Sequence, residues 1–253
     1  MTEQASTGVA LMREHEAVCE RETREQEPQL VVALQEAVDC IIASAHEFDG
    51  VQNLTDQEQA VLIQIVLGAR TARVFVALAL TGQYESALAV ARTLIEDGIA
   101  AAYLIERPDH AAKWRRGQID LRYGDMAAAV MEAHERRDEE QAPGEGAAWR
   151  RMSDALRETR KMLDDMSHAN PARIQFVLKA HGYELYPFFD RDALRSAVWF
   201  GVPGLSQMLF LTRKLLDQYG KAVPLCSSDE FRRRLVTVLD GAKQPDTAPS
   251  PEA

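Results

Sequence analysis

Glycine and proline are scarce in this chain, 14 and 10 among 253 residues, and no apolar run alternates with polar residues between turn signals. Loop-rich and all-β folds are excluded on that ground. Only three cysteines occur, Cys19, Cys40 and Cys226. They are odd in number and far apart, without the CxxC or Cys/His spacing of a zinc site. Free thiols in a reducing compartment are expected, with no metal and no cofactor. The phosphate-cradling signatures G-x-x-x-x-G-K-[ST] and G-x-G-x-x-G are missing, as is the zinc-binding H-E-x-x-H. A basic excess is missing too. The formal charge of −10 disfavours non-specific nucleic-acid binding, which needs Lys and Arg to neutralise phosphates.

Long apolar runs are also short or interrupted. The N-terminus lacks the apolar core of a secretory signal. The stretch 61–80 carries Arg70 and Arg73 near its middle, and each would cost about 2.5–3.5 kcal/mol at a bilayer centre. The stretch 197–211 is too short to span, since about 20 apolar residues are needed. A cytoplasmic location with no membrane partner is the expectation.

What is present is helical periodicity. The fold class is all-α: a multi-helix bundle of about 8–9 helices built around a long antiparallel helical hairpin. Three parts are expected: a charged N-terminal helix or arm over 1–27, a bundle domain over 28–241, and a disordered tail over 242–253, rich in Pro and without large apolar residues. From Pro28, the residues Leu30, Val31, Leu34, Val38, Ile41 and Ile42 recur at helical spacing. Thr55 and Glu58 form the spacing of a capping box, which starts a helix running to about Thr81. A second helix runs from about Gln83 to Glu106 and stops before Pro108. Asp109 is placed to cap a third, continuing through Trp114 and Tyr123 into "MEAHERRDEE". "EEQAPGEGA" (139–147) reads as a linker, with a helix from about Ala148 to Ser167 and a short one after Pro171. A long apolar helix from Asp190 to about Tyr219 contains Pro203, which predicts a kink. Ser227 or Ser228 caps a last helix.

Two features carry possible chemistry. In the hairpin, Arg70 and Arg73 are expected opposite 90–95, close to Arg92 and Glu96. Glu85, Ala89, Arg92 and Glu96 form one narrow line at i, i+3, i+4 spacing, which faces water or is a paired buried network. Arg92 precedes Glu96, the less favourable order for such a pair. The second feature is "MLDDMSHANPARI" (162–174). There Asn170 and Pro171 form a helix start, while His168 sits at a helix end behind Asp164 and Asp165, which favour a charged imidazole. Asp165-x-x-His168 is half of a di-iron motif, but the second half is missing.

The stretch "YESALAVARTLIEDGIAAAYLIERPDHAAKW", followed later by "MSHANP", resembles a group of uncharacterised bacterial all-helical proteins. These carry an R-x-x-x-E helix, a downstream Trp and a late Ser-His turn, here Arg92, Glu96, Trp114, Ser167 and His168. The group is in turn distantly similar to HEPN domains, helical bundles that often act as RNA-cleaving toxins or defence effectors. The resemblance implies either a non-catalytic module that acts through protein contacts as a homodimer, in a defence or toxin–antitoxin setting, or a metal-independent ribonuclease using Arg92, Glu96 and His168. HEPN nucleases carry R-x(4–6)-H. This chain departs from that spacing, with seven residues between Arg160 and His168 and two between Arg107 and His110. The departure favours the non-catalytic reading, with a protein partner or a second copy, and leaves RNA as the weaker alternative.

Overall fold

The computed structural model describes residues 2–141, 158, 161, 187–218 and 228–240. Among them are eight helices and no strand: α1 (Thr2–Gln26), α2 (Pro28–His46), α3 (Asp56–Leu80), α4 (Tyr84–Glu106), α5 (Pro108–Arg115), α6 (Tyr123–Gln141), α7 (Arg191–Gln218) and α8 (Ser228–Asp240). The all-α reading of the sequence holds.

Local chemistry sets most helix ends. Pro28 opens α2 at its first position, where its missing N–H costs nothing and its fixed φ suits the helix. At the start of α3 the capping box is complete. Glu58 N–H donates to Thr55 Oγ1 (3.2 Å), and Thr55 N–H donates to Glu58 Oε2 (2.7 Å). The third helix differs from expectation in two ways. It starts at Pro108 behind Arg107, so Asp109 lies in the first turn and is no cap. It also ends at Arg115, because Gly117 takes φ +68°. There Gly117 N–H donates to Trp114 O (2.9 Å) and Gln118 N–H to Lys113 O (2.9 Å). This is a Schellman closure, which a left-handed glycine makes at little steric cost. The chain restarts as α6, and α6 runs to Gln141, into the first residues of the expected linker. The rest of that linker, the helix expected to 167 (apart from the helical residues 158 and 161), the turn at 162–174 and the tail all lie outside the described residues.

α3 and α4 run antiparallel. Gln57 Nε2 donates to the carbonyls of Leu104 (3.0 Å) and Ile105 (2.7 Å), and Thr71 Oγ1 donates to Asp97 Oδ2 (2.7 Å). α7 lies across both. A Cβ on Gly204 would stand 3.1 Å from the backbone of Leu94 and Ile95, and Gly68 of α3 leaves room for Met208. α7 therefore approaches at backbone distance, and its Leu205, Met208 and Leu209 are buried with Phe75, Leu88, Leu94 and Ile95 in one core. Pro203 sits inside α7 without ending it.

The N-terminal helix is not wholly solvated. Cys19 and Thr23 are buried, and Thr23 Oγ1 donates to Leu80 O (3.2 Å). Glu27, between α1 and α2, is only 5% exposed. Arg195 of α7 reaches it through two nitrogens and Arg191 through Nε at 2.8 Å. Buried carboxylates are tolerated when paired this way. By length and composition α2 and α3 could each cross a membrane, and 50% and 44% of their most apolar windows are buried inside the fold.

Candidate functional site

The polar line on α4 exists as a partly covered stripe. Arg92 Nε lies 3.2 Å from Glu96 Oε1, and the side chains are 25% and 30% exposed. The line is thus neither a sealed network nor a free solvent face. Next to it, burial pushes the Asp97 carboxyl above its ordinary value. The Thr71 hydrogen bond works against that shift, and the Glu96 charge adds to it.

Arg70 and Arg73 do not join this stripe, contrary to expectation. Both are exposed, and it is Thr71 that turns inward to Asp97. The pairing level along the two helices is close to that expected. The error lies in rotation, because Ala69, Ala72, Phe75 and Val76 fill the inner face of α3 and turn positions 70 and 73 away from α4. Ser167 and His168 lie outside the described residues. Of the expected constellation, Arg92 and Glu96 meet each other. Trp114 is half-buried against the core at the end of α5 and shares no hydrogen bond with either.

A second polar cluster forms at the elbow between α4 and α5. Tyr103 Oη lies 2.5 Å from His110 Nδ1, with the rings edge to face, and Arg107 Nη2 lies 3.2 Å from His110 Nε2. A guanidinium can only donate, so Nε2 accepts from Arg107. In that tautomer the ring proton is on Nδ1 and points to Tyr103 Oη. Asp109 completes the cluster, 3.4 Å from Arg107 Nε and 3.5 Å from His110 Nε2. Its carboxyl is held below the ordinary value, chiefly by the Arg107 hydrogen bond. Sequence spacing identified Arg107 and His110 as a pair and dismissed them on HEPN grounds. The signal for contact was their i, i+3 separation across a Pro-started turn.

The cluster fixes the elbow. Arg107 reaches both Asp109 and His110, and Tyr103 is buried, so the ring is held at both nitrogens. Nearby, Arg115 and Arg116 both reach Asp56 at the start of α3 (2.7 and 3.0 Å). No group of three or more His, Cys, Asp or Glu among the described residues could hold a metal ion. A groove of about 510 Å³ lies between α2 and α8, lined by Val32, Ala33, Arg233, Arg234 and Val238 among others. Its lining includes neither Arg92 nor His110.

Large apolar side chains stand in solvent on four helices: Val9, Leu11 and Met12 on α1, Val32 on α2, and more on α3 and α7. On α3 these are Ile63, Leu67 and Val74, and on α7 Trp199 and Phe210. The rest of the apolar 197–211 segment serves the core, including Ala197, Val198, Val202 and Leu205. No family model, curated protein or solved structure matches this chain.

Proposed function

We propose that this chain is a non-catalytic, HEPN-like helical module that works through protein–protein contacts. One observation carries the reading: Ile63, Leu67, Val74, Trp199 and Phe210 are exposed by between 39% and 54% on two helices packed against each other. Apolar surface of that kind marks interaction faces. Trp199 and Phe210 are eleven residues apart, three helical turns, and so share one side of α7. A second copy docking there is the homo-oligomeric form of the proposal. The pairing of Arg92 with Glu96 supports the same reading, because it ties up the cation that a phosphate-binding site would need.

The competing reading is a metal-independent ribonuclease with Arg92, Glu96 and His168. The test is to incubate the full chain with single-stranded and hairpin RNA in a chelator and to determine its mass in solution by light scattering. Intact RNA is expected, with a particle heavier than one chain that returns to monomer in a Trp199→Ser, Phe210→Ser variant. Chelator-resistant cleavage that disappears in a folded His168→Ala variant overturns the proposal and establishes the ribonuclease.

A further inference from the structure

The outer face of α3 has a regular pattern. Ile63, Leu67, Arg70, Val74 and Ala77 follow one another at steps of four, three, four and three residues, and all five are exposed. That is the 3.5-residue period of a coiled-coil seam. Over fourteen residues it makes a ridge about 21 Å long. Inside the fold, Ala60, Ile65, Ala69, Ala72, Phe75 and Ala79 are buried, so α3 has a packed side and a second, largely apolar side that is exposed.

The charges on the ridge select what can cover it. Arg70 is the middle residue of the five, and Arg73, also exposed, is at the flanking position where coiled coils place interhelical ion pairs. Neither has a hydrogen-bond or ion-pair partner among the described residues. Pairing the ridge with a second copy of itself fails on this point. In parallel register every residue meets its own copy, and in a two-fold antiparallel pair the central residue does. With all five layers matched, two Arg70 guanidiniums face each other either way, and like charges at a seam repel. A bilayer is no better, because Arg70 would enter the acyl region at the centre of the apolar ridge.

We infer that the outer face of α3 docks an amphipathic helix from a different protein, with aliphatic residues at its seam and carboxylates opposite Arg70 and Arg73. The aliphatic residues cover Ile63, Leu67 and Val74. A glutamate at the central layer meets Arg70, and one at the flank meets Arg73. The inference rests on the protein-contact reading above and specifies the partner chemistry for a face other than the α7 one.

The test uses the full chain and two labelled synthetic helices of 28 residues. Both have Leu and Ile at the seam; one has Glu at the central layer and flanks, and the other has Lys there. Binding is followed by fluorescence anisotropy at low salt. The Glu peptide is expected to bind about tenfold more tightly than the Lys peptide, with a preference that shrinks as salt rises. An Arg70→Glu, Arg73→Glu variant should reverse the preference, and Leu67→Asp should abolish binding of both peptides. All three positions are exposed, and retained helical circular dichroism establishes that the variants are folded. Equal binding of the two peptides, or binding of neither, overturns the inference. So does a homodimer that Leu67→Asp dissolves, or capture by phosphatidylserine vesicles that Leu67→Asp abolishes. A chain that self-assembles through Trp199 but ignores both peptides retains the function proposed above and loses this partner, whereas RNA cleavage removes the function itself.

Discussion

Tyr84 Oη accepts a hydrogen bond from the backbone N–H of Asp190 at 3.0 Å, joining positions 106 residues apart. Tyr84 is the first residue of α4, and Asp190 is the cap of α7, its Oδ1 accepting from Ala193 N–H (2.9 Å). One phenol thus registers the start of one core helix against the start of another. Cys19 of α1 also bonds to this phenol. Three helices meet at a single buried oxygen.

Tyr84→Phe keeps the ring and deletes the acceptor, leaving the Asp190 N–H without its partner in a covered site. The expected loss is about 1–3 kcal/mol, read as a shift of the urea midpoint without a change in slope.

The same knot predicts an alkaline weakness. Burial pushes the Cys19 thiol from its ordinary 9.0 to about 11, with hydrogen bonds from Thr23 and Tyr84 opposing the shift. Tyr84 is also pushed up, again chiefly by burial. Both groups bind their protons more tightly when folded. The stabilisation is complete below the unfolded thiol value and is lost as pH rises through the folded one. Thermal midpoints should therefore fall between pH 9 and 11, and the fall should be smaller in Cys19→Ala. Below pH 9 Cys19 should resist iodoacetamide in the folded chain and react on unfolding.

Gly82 and Gly117 both have positive φ, +79° and +68°, but their surroundings differ. A Cβ at Gly82 would stand 2.6 Å from Cys19 Sγ and 2.9 Å from Phe188 O, while at Gly117 it would meet nothing within 4 Å. Gly117→Ala should cost only the backbone penalty of about 1–2 kcal/mol. Gly82→Ala adds a steric clash and should lower the thermal midpoint by clearly more.

Glu27 is held by Arg191 and Arg195, and Arg195 Nη1 also donates to Leu239 O at 3.1 Å. Glu27→Ala would leave Arg195 covered without its counter-charge, at an expected cost of about 3 kcal/mol. Hydrogen exchange should show α8 loosening along with the α1–α2 junction, because the same arginine bonds both.

The Arg92–Glu96 pair tests the candidate site. A pair one turn apart on one helix, in the less favourable order and a quarter or more exposed, should by itself show a coupling of only about 0.5 kcal/mol in a double-mutant cycle. A coupling above about 2 kcal/mol would mean that a further charged group completes the site.

The sequence by itself determined where most of the described helices begin. The capping box of Thr55 and Glu58, Pro28 at a first turn and Pro108 behind Glu106 act through backbone groups within four or five residues, so their outcome is written locally. Gly117 belonged to the same class, but the apolar positions Trp114 and Tyr123 on either side of it masked the break. Only the tertiary structure decided which side of each helix is inside. α3 is apolar almost all round, so its periodicity does not choose between Phe75 and Val74. That choice was made by α7, whose Gly201 and Gly204 let it approach α3 and α4 at close range. The same packing set the fate of the charges. Arg92 found Glu96 one turn away, as its spacing allowed. Arg70 and Arg73, equally close to Glu96 in a flat reading of the hairpin, were rotated to the outside. Glu27 was buried because two arginines 164 and 168 positions later in the chain came to meet it. Long-range pairings of that kind depend on helix rotation and crossing, which short-range spacing does not encode.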